Sequence, residues 1–141
     1  MMATYPATYV AYRVVTERLR GGAIWGQGVY GDVAPAWAEK PYVVVSLVSE
    51  DEAFVRKIAA PVVILQIKCV AEDFDTAARG AQAIASLLRD EGYQESRGLS
   101  TDADWHVSTV SQQTAVYLRE SRENDEIYHM GHQYRLIMEA K

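Results

Sequence analysis

The residues of this chain whose types could support chemistry are few: three histidines, one cysteine and a scatter of acidic pairs. His129 and His132 lie three apart, a spacing that shares a face on a helix but points to opposite sides on a strand. His106 lies on a different element with no thiol partner, so the three read as ordinary strand histidines and not as metal ligands. Cys69 stands alone, which rules out an intrachain disulfide and a thiolate zinc cluster. Alternation places it inward, where a thiol behaves as a small hydrophobe. The chain has no Gly-x-Ser-x-Gly elbow and no Walker lysine motif, and Gly26-Gln-Gly28 lacks both the third glycine and the preceding strand of a dinucleotide site. Asp73 and Asp75 open a helix, where carboxylates favour the dipole, and Asp102 and Asp104 fall in a polar loop. We therefore expect no catalysis, no metal and no cofactor.

The aromatic residues are more informative. Trp25, Val29, Tyr30, Trp37 and Tyr42 fall in or beside a glycine- and proline-rich segment, and tryptophan and tyrosine are enriched at the centres of protein interfaces. Two readings stand: these side chains cap the open end of the core, or they meet another subunit. Phe54 and Val55, within the charged stretch Glu50–Lys57, join them as interface candidates.

Hydrophobic periodicity gives the elements that must position these residues. A helix over about Pro6–Arg20 carries Tyr5, Tyr9, Tyr12, Val15 and Leu19 on one stripe, which predicts an aromatic-rich inner face ended by Gly21-Gly22. Gly21–Pro41 reads as irregular, with Val29-Tyr30 as a brief edge strand. Tyr42–Ser49 and Val62–Ala71 are strands, and Glu50–Lys57 reads as a long hairpin loop between them. A second helix spans about Asp73–Glu91, capped by Asp73 or Asp75 and stopped by Gly92, with Phe74, Ala77, Ala78, Ala81, Ile84, Ala85 and Leu88 inward. Gln94–Ala103 reads as a loop. Trp105–Leu118 and Ile127–Ala140 are the last strands, the final one with the cleanest period of two, and Arg119–Glu126 between them is too charged to bury. The order α-β-β-α-β-β predicts an α+β fold in two layers. Two helices pack on one face of a mostly antiparallel mixed sheet of about four main strands, in a single domain over residues 1–141.

Composition agrees with one globular domain: 141 residues, 49% hydrophobic and 23% charged. A net charge of −5 argues against a protein whose main task is gripping phosphates. The longest apolar run, Ala59–Leu65, falls far short of the ~20 residues that cross a bilayer. The opening residues Met1–Pro6 show no secretory pattern, so we expect no membrane association.

One ordered set of motifs spans nearly the whole chain, from about Tyr9 to Glu139. Gly28-Val-Tyr-Gly-Asp-Val, Pro35 and Lys40-Pro-Tyr-Val-Val-Val45 come first, then Asp73-Phe-Asp-Thr-Ala-Ala-Arg-Gly-Ala-Gln-Ala-Ile, and finally Gly131-His-Gln-Tyr-Arg-Leu-Ile-Met138. In this order they resemble the bacteriophage tail completion family, which includes tail terminators and head–tail joining proteins. The charged stretch Arg119–Glu126 is longer than that pattern has. The resemblance implies a virion structural protein, assembled in the host cytoplasm, that forms a homo-oligomeric ring, usually hexameric, on the head-proximal end of the tail tube. Its partners would be the tail tube protein and the head–tail connector or stopper protein, with DNA passing through without sequence-specific binding. An acidic ring suits such a conduit, because like charge does not hold the genome. On this reading Glu120, Glu123, Asp125 and Glu126 approach the lumen; the alternative is a solvated hairpin tip on the outside. A neck adaptor or stopper is the neighbouring reading. A small-ligand-binding or enzymatic α+β domain is the distant one, and it would need a pocket with convergent polar groups.

Overall fold

Ala7–Leu19 forms the first helix, α1, in a computed structural model that describes residues 5–55, 58–88, 104–122 and 124–140, with side chains for all of these except 52–55, 58–59 and 122. The inward face of α1 is aliphatic and small: Ala7, Val10, Ala11, Val14, Val15 and Leu19 are buried. This corrects in part the aromatic inner face expected from sequence: of that stripe Val15 and Leu19 are buried and Tyr12 packs partly buried against the core. Tyr5 and Tyr9 are exposed on the flank, where the Arg13 guanidinium lies 5.7 Å from the centre of each ring. Two stripes at helical spacing compete here. Small residues let the helix approach a flat sheet closely, while tyrosine keeps its hydroxyl wet at the margin.

Strands β1 (Val29–Gly31), β2 (Tyr42–Val55) and β3 (Ile58–Ala71) follow, then helix α2 (Phe74–Leu88), then β4 (Trp105–Arg122) and β5 (Asp125–Ala140). The sheet order is β1-β2-β3-β5-β4. The fold is α+β as expected, but the sheet has five strands and not about four, and the element order is α-β-β-β-α-β-β. The extra strand is the short Val29-Tyr30 segment, which pairs parallel with β2 at Val43–Val45; all other pairs are antiparallel. Between β3 and β4, α2 carries the chain across to the far margin, and β5 then returns into the gap. The strand with the cleanest alternation is thus central and the polar-rich β4 is an edge.

Among the described residues, most of both charged stretches between strands is itself strand. β2 runs on to Val55 and β3 begins at Ile58, while β4 runs on to Arg122 and β5 begins at Asp125. A two-stranded ribbon keeps its ladder while both faces meet water, so side-chain charge does not end it. Pro61 marks where the sheet divides. β3 pairs with β5 from Ala71 back to Val62 and no further, while β2 and β3 stay paired to Val55–Ile58. Proline has no N–H for a ladder. Beyond it the β2–β3 hairpin is a free arm.

The core lies between the helices and one face of the sheet. Val43, Val45, Leu65, Ile67 and Leu136 are fully buried there against α1 and against Ile84 and Leu88 of α2. Each such side chain contributes about 1.5–3 kcal/mol relative to exposure. Gly80 of α2 sits directly over Cys69: a Cβ at Gly80 would stand 2.3 Å from the sulfur. The thiol is buried as expected, and burial pushes its pKa up to about 11. A smaller cluster, Val44, Val70 and Ile127, lies on the opposite face under Ala34 and Tyr42. The expected end of α2 at Glu91–Gly92 and the loop Gln94–Ala103 lie outside the described residues.

Candidate assembly surfaces

The segment between α1 and β2 separates its two tryptophans. Gly21 and Gly26 take positive φ values of 87° and 58°, which glycine adopts without strain, and a tight turn closes between Gly22 and Gly26. The turn folds Trp25 back onto the helix end, where its Nε1–H donates to the Leu19 carbonyl at 2.7 Å and its ring covers Gly22. Trp25 is 6% exposed. The structure thus gives it the capping role and leaves no ring surface for a partner; Val29 is likewise buried.

Trp37 is the opposite case, 75% exposed. It sits on a strap, residues 32–41, that crosses the helix-free face beside β2. Its ring meets Tyr30 edge-on with centroids 6.1 Å apart, and Tyr30 meets Tyr42 in the same way at 5.8 Å. Tyr42 is half-buried and anchors this aromatic row to the sheet through Val44 and Val70. Beneath the strap lies a polar cavity of about 170 Å³, lined in part by Lys40, Tyr42, Glu120 and His129. His129 is buried at its floor, with Nε2 2.7 Å from Glu120 Oε1.

At the β4–β5 tip the four acidic candidates do not act as one group. Glu120 turns inward to His129. Glu126 binds the Arg119 guanidinium and accepts a hydrogen bond from the Tyr128 hydroxyl at 2.6 Å. Those two bonds hold the Glu126 carboxyl below the ordinary carboxylate range, and the Tyr128 phenol is raised in return. Asp125 is exposed opposite Arg122 in the ladder, and Glu123 lies outside the described residues. Phe54 and Val55 are placed on the β2 arm by backbone alone.

The histidines occupy different settings. His129 and His132 take opposite faces of β5, as alternation requires, and His106 pairs with Glu139 at 3.1 Å. Among the described residues no three His, Cys, Asp or Glu side chains come together as a metal group, and no helix is long and apolar enough to cross a membrane.

The same fold occurs in a chain from a structure described as "Virion of native gene transfer agent (GTA) particle". The match has a TM-score of 0.66 and covers 95% of this chain and 99% of that one, at 21% identity. At that identity the likeness is one of fold. No family model matches the chain, and no curated protein matches it in sequence.

Sequence reasoning missed a further set of exposed apolar side chains: Leu47 and Val48 on β2, Phe74 on α2, and Tyr117 and Leu118 on β4. Phe74 was expected in the core stripe of α2, but as the first residue of the helix it lies exposed at its N-terminal end and meets Tyr117 and Tyr128 edge-on. A signal was present for β4. From Val107 to Leu118 it has no charged residue at either parity, so neither face is marked as solvent.

Proposed function

We propose that this chain is a structural protein of a phage-type virion, a tail terminator that caps the head-proximal end of the tail tube as a ring. The observation that carries this reading is the fold shared over almost the full length of both chains with a component of a virion particle. The ordered motifs of the tail completion family fall on the matching elements: the β1 turn and strap, the start of β2, α2, and the second half of β5. In this role the protein performs no reaction. It binds copies of itself in a ring, hexameric by the family pattern, and presents one end to the tube protein and the other to the head connector, leaving a passage for DNA. Its exposed aromatic and aliphatic side chains are the features such a subunit needs, because each copy contacts two neighbours and two end partners.

The test is reconstitution. Purified protein mixed with polymerising tail tubes should appear in negative stain as a cap on one end and should arrest elongation, shortening the tube-length distribution. Unchanged tube lengths, with binding to the connector alone, would replace the terminator reading with that of a neck adaptor or stopper.

A further inference from the structure

Exposed apolar side chains gather at two opposite margins of the sheet. Along β4, Tyr117 and Leu118 are half-exposed on the two faces of the strand, and half-exposed Phe74 extends the Tyr117 side at 5.9 Å. Along β2, Leu47 and Val48 are half-exposed just past the point where β1 stops.

An isolated subunit protects an edge with charges, bulges or proline on the strand; on β2 the ladder is irregular between Leu47 and Ser49 and the charges begin only at Glu50, which leaves Ser46–Ser49 neutral. β4 is uncharged and free of proline from Val107 to Leu118. Bulges between Val107 and Thr109 and between Gln112 and Ala115 bend its first half, but from Ala115 to Arg122 its ladder to β5 is continuous. Its outward N–H and C=O groups therefore form a regular row there. β1 covers β2 only at Val43–Val45, and the Asp32 N–H adds one bond to the Val45 carbonyl. From Ser46 onward no described strand lies on the outer side of β2.

Strand direction makes the two margins complementary. Three successive antiparallel pairings, β2–β3, β3–β5 and β5–β4, leave β4 running opposite to β2. A second copy that continues the sheet in the same orientation brings its β4 beside this β2 as an antiparallel pair, the more stable ladder. Charge selects this pairing over β2 with β2, which would set Glu50 and Asp51 against their own copies. Against β4 the same acids meet the neutral run Gln113–Ala115.

We infer that the outer edge of β4 in one copy pairs antiparallel with the outer edge of β2 in the next, seating Tyr117 and Leu118 against Leu47 and Val48. This rests on the ring reading and names the surface that joins the ring. In its own sheet Leu47 is level with Gln112, through Leu65 and Tyr134, so meeting Tyr117 displaces each copy by five residues, roughly 17 Å, along the strands. Stagger of this kind is what a sheet closing on itself requires.

The test uses two single variants, Leu47→Cys and Tyr117→Cys; the buried Cys69 stays out of the reaction. Oxidised together, they should give a disulfide-linked pair at about twice the 15.7 kDa subunit mass, absent when either is oxidised alone. In parallel, Tyr117→Lys and Leu118→Lys, both at exposed positions, should fall to subunit mass at concentrations where the unmodified protein is a multimer, with an unchanged circular dichroism spectrum. Cross-links within one variant alone, or a multimer that survives both lysine changes without a mixed cross-link, overturn the edge pairing and leave the ring reading standing. An unmodified protein of subunit mass at all concentrations overturns both. A mixed cross-link in a protein that does not cap tubes removes the terminator reading alone.

Discussion

Trp25 and Trp37 differ by twelve positions and by everything that decides what a mutation does. Trp25→Ala removes a buried ring and the hydrogen bond it donates to the last turn of α1. We expect a cost of about 3–5 kcal/mol, read as a large fall in melting temperature of the isolated subunit. Trp37→Ala removes a ring whose contacts are with Tyr30 at the surface. Its stability should stay within about 0.5 kcal/mol of the unmodified protein, while the multimer falls toward subunit mass in solution or affinity for the tube falls at least tenfold. A Trp37→Ala protein that assembles and caps normally would take Trp37 out of the interface. Sequence could not separate the two, because a glycine-rich segment has no period from which to read a direction. What decides is the return of the chain from Leu19 to Trp25, and that depends on positive φ values at Gly21 and Gly26.

At the level of elements, α2 shows a cap that sequence identified. The Asp73 carboxylate accepts from the Thr76 N–H at 2.7 Å and from the Thr76 hydroxyl at 2.8 Å, and these bonds lower its pKa from the ordinary value of 3.8. A depressed carboxylate stabilises the fold fully above its unfolded pKa and loses that contribution as pH falls through the folded value. Asp73→Ala should therefore lower the denaturation midpoint by a constant amount above about pH 4, with the gap to the unmodified protein closing below it. A gap that is flat across that range would show that the charge of Asp73 does no capping. The helix positions, the α+β class and the alternation of β5 were legible because burial on one face leaves a period. The hairpin ends were not: in Glu50–Val55 and Arg119–Arg122 the backbone ladder persists through charged runs, so hydropathy carries no trace of it. The fifth strand reads in the sequence as the brief edge Val29-Tyr30 but does not count among the main strands, since three residues are too few to show alternation. The aromatic stripe of α1 misled for the converse reason. Tyrosine satisfies helical spacing and the water boundary equally well, and the adjacent row of alanine and valine fits the sheet more closely.

For the whole molecule, the net charge of −5 is not displayed as one acidic rim among the described residues. Glu120 is engaged with His129 and Glu126, though exposed, with Arg119 and Tyr128, so of the four acids proposed to line a channel Asp125 is the exposed one for which the structure shows no such engagement at the tip. Neutralising Glu120 and Glu126 with glutamine should lower the melting temperature, because both hold neighbouring side chains. Neutralising Glu123 and Asp125 should leave it unchanged and slow or impair DNA release from assembled particles. Normal release from the second variant would remove these residues from the channel. The division of the sheet at Pro61 has a mechanical meaning for such an assembly. Past that point two strands twist and bend without the stiffness of the other three. If copies join in the proposed ring, a neighbour that grips this arm is held on a compliant finger, and such a ring would settle onto a surface whose repeat does not coincide with its own.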